Sequence, residues 1–208
     1  SLTSQNGSKI KLNNFDVSKV NDFGSVFGSC KVYELEGLST WGACAGNATI
    51  YRMFRGATLM RINPNDNFSN AFIASLTPTY AHEAFYLLSS SLQDSERGPS
   101  PNLNGLDFSN LTSSSTFGLK EFMRQIKVTD VPDFSNVTFS STNTVSFEHA
   151  FYQFNTTGTG SDSIFNFNPT VKPANFITTF YFAHGLTEVN IGSNVNMSDL
   201  TSVNGMFY

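Results

Sequence analysis

A phenylalanine recurs at intervals of roughly 30 residues through the whole chain, a spacing typical of repeat proteins. The gaps between these residues, by subtraction of their positions, are 27, 31, 37, 29, 29 and 27. We call them the predicted anchors; they are Phe27, Phe54, Phe85, Phe122, Phe151, Phe180 and Phe207. Because each unit of a repeat protein covers the apolar face of its neighbour, the recurrence predicts one solenoid over 9–208, preceded by an N-terminal arm at 1–8.

Each unit combines two hydrophobic periods. Ile10 and Leu12 alternate with lysines, which predicts a short strand. Val20, Phe23 and Phe27 follow at spacings of three and four, which places them on one face of a helical turn. We therefore predict an α/β, leucine-rich-repeat-like solenoid of about seven strand–loop–helical-turn units, with the anchors stacked into a phenylalanine spine.

The third unit departs from this pattern. Phe68, Phe72 and Leu76 are spaced by four, which predicts a helix that ends before Pro78. After Phe85 comes a segment at 93–102 that contains Pro99, Pro101, Gly98 and three charged residues. We interpret this segment as a surface loop inserted between two units.

Several segments resemble the BspA-like leucine-rich repeat of bacterial and protist surface proteins. The matching segments are NFDVSKVNDFGSVFGSC at 14–30, LSTW at 38–41, NATIYRMFRGA at 47–57, DFSNVT at 133–138 and LTSVNGMF at 200–207. The resemblance implies a solenoid displayed at the cell surface for adhesion and protein–protein contact. It implies no shared catalytic centre.

Composition restricts the environment and the partners. Only 13% of the residues are Asp, Glu, Lys or Arg, about half the usual share. A surface of neutral polar side chains suits a secreted or extracellular protein. The net charge of −4 and the absence of a basic run exclude a nucleic-acid footprint. No stretch approaches the roughly 18 apolar residues of a membrane span. The chain does not begin with Met, so we expect a removed leader or a trimmed chain.

Two cysteines, Cys30 and Cys44, lie 14 residues apart by subtraction. No further Cys or His stands nearby to complete a zinc site. The sequence leaves two alternatives open, a disulfide or two buried thiols. A disulfide around a loop of this size would stabilise the fold by roughly 3 kcal/mol in the chain-entropy model.

The candidate catalytic chemistry is sparse. His82, His149 and His184 each lie within four residues of a predicted anchor, which allows a row of metal-binding or acid–base groups. We favour ordinary polar positions, since the pair His82–Glu83 lacks the second histidine of a zincin helix. The chain has no nucleophile elbow, no complete phosphate loop and no clustered carboxylates for glycoside hydrolysis. We therefore predict no catalytic residues, no cofactor and no metal.

Asn-x-Ser/Thr triplets mark glycosylation sites in a secreted protein. Seven occur, at Asn6, Asn47, Asn67, Asn110, Asn136, Asn155 and Asn196. In a chain rich in Asn, Ser and Thr, about that many arise by chance. Some coincide with the repeat turn, where an Asn side chain can hydrogen-bond its own backbone.

The two ends of the repeat array show no polar cap, and open edges of this kind favour pairing with another copy. We expect the segment 1–12 of one copy to pack on 186–208 of the next, forming a ring or filament. The residues assigned to this contact are Ile10, Leu12, Leu186, Val189, Phe207 and Tyr208. A fragment of a longer solenoid would have the same sequence pattern.

The sequence thus favours a non-enzymatic, extracellular structural or adhesive surface protein that assembles head to tail. Its partners are further copies or cell-surface protein or glycan ligands. A virion fibre or decoration protein that contacts a host receptor is an alternative. A carbohydrate-active enzyme is a second alternative, which the scattered carboxylates disfavour.

Overall fold

The computed structural model describes residues 8–111 and 118–208, and the chain forms a β-solenoid of about seven stacked turns. The predicted N-terminal arm lies almost wholly outside the described residues. The strands are short: β1 (Lys9–Lys11), β2 (Glu34–Glu36), β3 (Arg61–Ile62), β4 (Asp107–Phe108), β5 (Lys127–Val128), β6 (Thr138–Phe139), β7 (Thr144–Ser146), β8 (Asn155–Thr156), β9 (Ile164–Phe167), β10 (Lys172–Asn175) and β11 (Glu188–Ile191).

Every strand pair in the described residues is parallel, as stacking of successive turns requires. The pairs are β1–β2, β2–β3, β4–β6, β5–β8, β7–β10 and β9–β11. The first sheet carries an ion-pair row because Lys9, Glu34 and Arg61 are in register. Glu34 is buried between them and accepts a 2.7 Å hydrogen bond from Arg61 Nε. The buried Glu34 carboxylate thus has a cation on either side, which offsets its desolvation.

Helix is rare among the described residues. The single α-helix is α1 (Asn70–Ser75), capped by Ser69, whose Oγ accepts the N–H of Phe72 at 3.0 Å. It lies where the spacing of Phe68, Phe72 and Leu76 predicts a helix. Short 3-10 segments occur at Leu38–Thr40, Asp94–Glu96, Gly160–Ser163 and Met197–Asp199.

The predicted helical turn at each anchor is wrong. Each anchor segment is instead a run of tight turns in which residues two before and two after the anchor position have positive φ, where the fourth anchor position is Met123 rather than Phe122, as the hydrogen bonds described below show. The first set is Ser25, Arg52, Glu83, Glu121, His149, Thr178 and Gly205; the second is Ser29, Gly56, Leu87, Gln125, Gln153 and Phe182. A left-handed residue at every fourth position is incompatible with a right-handed helix.

Alternating hydrogen bonds explain these turns. In the second turn, the N–H groups of Met53 and Arg55 donate back to the carbonyls three residues earlier, at 3.1 and 3.0 Å. The N–H groups between them, those of Phe54 and Gly56, donate to the third turn at 2.7 and 3.0 Å. The segment therefore closes on itself and binds its neighbour at the same time, with its buried donors satisfied.

The hydrogen bonds between consecutive anchor turns, which we call the ladder, show that the predicted position of the fourth anchor is wrong by one residue. Phe85 N–H donates to the carbonyl of Phe122, and Met123 N–H donates to the carbonyl of Ala150, both at 2.8 Å. In all the remaining turns, the anchor N–H donates to the carbonyl of the residue just before the next anchor. By this criterion Met123, and not Phe122, occupies the fourth anchor position. Phe122 lies one residue earlier, fully buried, with its ring edge-on to Phe85 at 5.3 Å.

The core is a column of rings with one interruption. Phe27, Phe54 and Phe85 stack at centroid distances of 4.9 and 5.4 Å. Phe151, Phe180 and Phe207 stack at 5.3 and 5.7 Å. Met123 and the edge-on ring of Phe122 separate the two stacks. The predicted phenylalanine spine is therefore two stacks of three rings each, with a sulfur-containing residue between them.

The inserted segment is less exposed than expected. Gln93 and Asp94 are at the surface, but Arg97, Gly98 and Ser100 are buried. Gly98 accepts the N–H of Thr129 through its carbonyl at 2.9 Å. Its Cα lies so close to the chain that an added Cβ would stand 2.2 Å from the carbonyl oxygen of Ile62. The segment thus fills the space between β3 and β5.

We expect Phe54→Ala to lower the free energy of unfolding by about 3–5 kcal/mol, because it opens a cavity in the first stack. Phe54 is 0% exposed, whereas the control position Phe15 is 60% exposed. Phe15→Ala should cost less than about 1 kcal/mol. Denaturant titration measures both values, and equal losses would contradict the stacked core.

We expect Thr178→Gly to raise stability by about 1 kcal/mol. The β-branched Thr178 has φ 46° and a buried hydroxyl with no hydrogen-bond partner among the described residues, so relief of both costs exceeds the added chain entropy of glycine. The neighbouring Thr179→Gly should destabilise, because the buried Thr179 Oγ1 donates to the Phe147 carbonyl at 2.8 Å. A loss of stability in Thr178→Gly would contradict the assignment of strain.

Candidate functional site

The outward surface of the anchor turns is continuous along the described chain, because consecutive turns are hydrogen-bonded to each other. We call it the anchor face; it consists of the side chains three before, two before and one after each anchor position. Because consecutive turns are in register, each of these positions forms a column along the solenoid. The chemical character of the anchor face therefore depends on which residues occupy each column.

Charges alternate along the middle of the anchor face. Arg52 Nη2 lies 3.1 Å from Glu83 Oε1, and Arg55 also contacts the Glu83 carboxylate. In the next turns Lys120 contacts Glu148 at 3.0 Å and Arg124 contacts Glu121 at 3.0 Å. These partly exposed pairs each contribute little, about 0–1 kcal/mol. They neutralise one another and leave no single-sign patch.

A column of tyrosines and arginines runs one residue after the anchors. Tyr152 stacks on Tyr181 at 5.1 Å, and Tyr181 stacks on Tyr208 at 5.0 Å, with nearly parallel rings. The Arg124 guanidinium lies 4.8 Å from the Tyr152 ring centroid and 5.4 Å from that of Tyr86. Stacked rings and cation–π contacts stiffen this edge of the solenoid. Four Phe-Tyr pairs in the sequence were the available signal for it.

The three histidines do not form a row. His82 is three residues before its anchor, His149 two before, and His184 four after. His82 packs 4.5 Å from the Tyr51 ring, and His149 Nδ1 lies 3.7 Å from Glu148. Among the described residues no group of three or more His, Cys, Asp or Glu side chains is arranged to hold a metal ion.

Burial lowers the pKa of both His82 and His149 below the ordinary value of 6.5. For each, desolvation is the largest cause, and the adjacent carboxylate of Glu83 or Glu148 opposes it. The neutral imidazole is therefore favoured in the fold.

Cys30 and Cys44 are free thiols in the structure, so the disulfide alternative is not formed. Cys30 follows the first anchor turn, whereas Cys44 lies beside the end of α1, where its N–H donates to Ser75 Oγ at 2.8 Å. The Ser75 hydroxyl also lies 3.3 Å from Cys44 Sγ. The two cysteines thus belong to different parts of the coil, which sequence separation alone could not reveal.

The glycosylation triplets differ in what their amides do. The side chain of Asn67 donates to the Ser100 carbonyl at 2.7 Å and accepts the N–H of Phe68 and Asn102. The Asn155 amide oxygen accepts Arg97 Nη1 at 2.9 Å. Both amides are part of the packing. Asn47, Asn110, Asn136 and Asn196 are exposed, and Asn6 lies outside the described residues.

The residues expected at the ends lie in different environments. Leu12 is buried in the core, so it offers no surface, and Ile10 is only partly exposed. Leu186 and Val189 line a cavity of about 490 Å³ together with Phe207 and Tyr208. Phe207 and Tyr208 are 62% and 74% exposed.

No protein-family model, curated protein or solved structure matches the chain. None of the helices in 8–111 and 118–208 is long and apolar enough to cross a membrane. The anchor face and the two ends of the solenoid are therefore the basis for a functional proposal.

Below pH 6.5, we expect stability to decrease because the unfolded state then takes up protons that His82 and His149 resist in the fold. The double variant H82Q/H149Q should lose less stability than the wild type between pH 7 and pH 5. Denaturant titrations at both pH values measure the difference, with S141Q as the control at an exposed position. Equal losses in all three proteins would refute this role of the histidines.

Proposed function

We propose that this chain is a non-enzymatic, extracellular structural or adhesive surface protein that assembles head to tail. The extracellular assignment is supported by the low charge content and the neutral polar surface. The adhesive assignment draws on the resemblance of the repeat segments to BspA-like leucine-rich repeats. The leucine-rich-repeat classification belongs to the same proposal, because it draws on that resemblance, whereas the solenoid architecture is observed directly.

The observation that carries the assembly proposal is a match between two main-chain edges. In the last turn, no hydrogen bond is made within the described residues by the N–H groups of Val203, Gly205 and Phe207. In the first turn the carbonyls of Asp22, Gly24 and Val26 are unpaired in the same way. The ladder within the chain joins equivalent groups, since Phe27 donates to Met53 and Phe180 donates to Met206.

Stacking a second copy on the last turn would extend this ladder without a change of register. Val203, Gly205 and Phe207 would donate to Asp22, Gly24 and Val26 of the next copy. Phe207 would stack on the next Phe27, as Phe180 stacks on Phe207 within the chain. The contact is heterologous, and repetition of it gives a filament or a closed ring.

A direct test is electron microscopy of the purified chain over a concentration series, with light scattering for mass. About seven turns spaced by roughly 4.8 Å predict an axial repeat of about 34 Å. Assemblies that grow with concentration and show this repeat are expected. A monodisperse monomer at every concentration would contradict the proposal.

The variant V26D tests the proposed edge, because it places a carboxylate beside the incoming turn. Val26 is 52% exposed, so the fold should tolerate the change, which circular dichroism checks. We expect assembly to decrease at least about tenfold, while S141D, at an exposed site in mid-solenoid, assembles like the wild type. Equal assembly of V26D and S141D would show that this edge is not the contact.

A further inference from the structure

A polar groove of about 340 Å³ crosses four consecutive turns beside the anchor face. One side is formed by Gln125 and Gln153, which occupy the position two residues after their anchors. The other side is formed by Lys127, Asn155 and His184, which are in register across β5, β8 and the following turn. Because adjacent strands lie about 4.8 Å apart, Lys127 and His184 are separated by about 10 Å along the groove.

The groove contains an excess of hydrogen-bond donors and no carboxylate. None of the residues that line it is Asp or Glu. Within the described residues, Lys127 forms neither an ion pair nor a side-chain hydrogen bond. Gln125 Nε2 donates to Gln153 Oε1 at 2.6 Å, which leaves the Gln153 amide nitrogen available to a ligand.

Arg97 supplies a second positive charge behind the groove. Its side chain is 3% exposed, and its Nη1 donates to the Asn155 amide oxygen at 2.9 Å. This bond uses the acceptor of Asn155 and leaves its amide nitrogen as a donor. The partner of Arg97 on the other side is Asp94, which is 75% exposed. Solvent therefore screens the acid more than the buried guanidinium.

We propose that this groove binds a carboxylate-bearing, hydroxyl-rich small molecule such as a uronic-acid sugar. Lys127 pairs with the carboxylate, and the Asn155 and Gln153 amides donate to hydroxyl oxygens. The positive charge of Lys127 favours a ligand that carries an anionic group. The two side-chain amides favour a ligand that also carries several hydroxyl groups over a simple anion. As a glycan contact the site rests on the proposed adhesive function, although the binding itself does not require assembly.

The experiment is a titration of the full chain, labelled with nitrogen-15, by glucuronate, glucose and inorganic phosphate, followed by amide chemical shifts. We expect saturable shifts around Lys127, Gln153 and Asn155 with glucuronate, at a dissociation constant on the order of 1 mM for a ligand of this size. Glucose and phosphate should each bind at least about tenfold more weakly. Equal binding of glucose would overturn the role of the charge, and equal binding of phosphate would overturn the sugar-acid assignment.

The variant K127Q tests the named residue with little change in strand geometry. Glucuronate binding should weaken by at least about tenfold, whereas K172Q, which removes a lysine from β10 outside the groove, should bind like the wild type. Unchanged binding by K127Q would refute the site. Because K127Q leaves both main-chain edges intact, its assembly should match the wild type, so failure of the groove and failure of head-to-tail assembly are distinguished.

Discussion

The main-chain ladder between consecutive anchor turns is the interaction on which the rest of the structure depends. Every second N–H of an anchor turn binds the turn itself, and the N–H groups between them bind the next turn. The strands alone span only two to four residues each, too short to hold a turn in place. The ladder therefore fixes the register that stacks the anchor rings and aligns the columns of the outer face.

The ladder requires residues in the left-handed conformation, which raises the free energy of the folded backbone. Few of these positions carry glycine, and Thr178 and Glu121 are examples of side chains held at positive φ. Each such residue costs about 1–2 kcal/mol relative to an unstrained backbone. The buried aromatic rings offset that cost, because each phenylalanine removes a large apolar area from water. The high phenylalanine content therefore stabilises a backbone that would otherwise be unfavourable.

Much of the architecture could be predicted because it depends on the spacing of hydrophobic residues along the sequence. The recurrence of Phe27, Phe54 and Phe85 indicated the solenoid, and the spacing around Phe72 indicated α1. The anchor turns could not be predicted as such, because apolar residues at intervals of three and four fit a helix as well as tight turns with left-handed residues. The fourth anchor was misplaced because Met53-Phe54 is reversed in Phe122-Met123, and only the hydrogen-bond register reveals the exchange.

The candidate sites were less accessible to sequence reasoning. Arg97 stands in a segment rich in Pro, Gly and charge, which is the usual composition of a surface loop. Its burial depends on contacts with residues that are far away in the sequence, such as Asn155. Likewise, Lys127, Asn155 and His184 have no common motif, and only the parallel register brings them into one groove. The Phe-Tyr pairs, in contrast, marked the tyrosine column directly.

Native-state hydrogen exchange of the main-chain amides tests the ladder most directly. The amides of Phe54, Phe85, Met123 and Phe151 should exchange only through global unfolding, with protection that equals the measured stability. The amide of Phe122, which donates back within its own turn to Leu119, should be protected with them. Under conditions where the chain is monomeric, those of Val203, Gly205 and Phe207 should exchange rapidly. Fast exchange at the four central anchor positions would contradict the account.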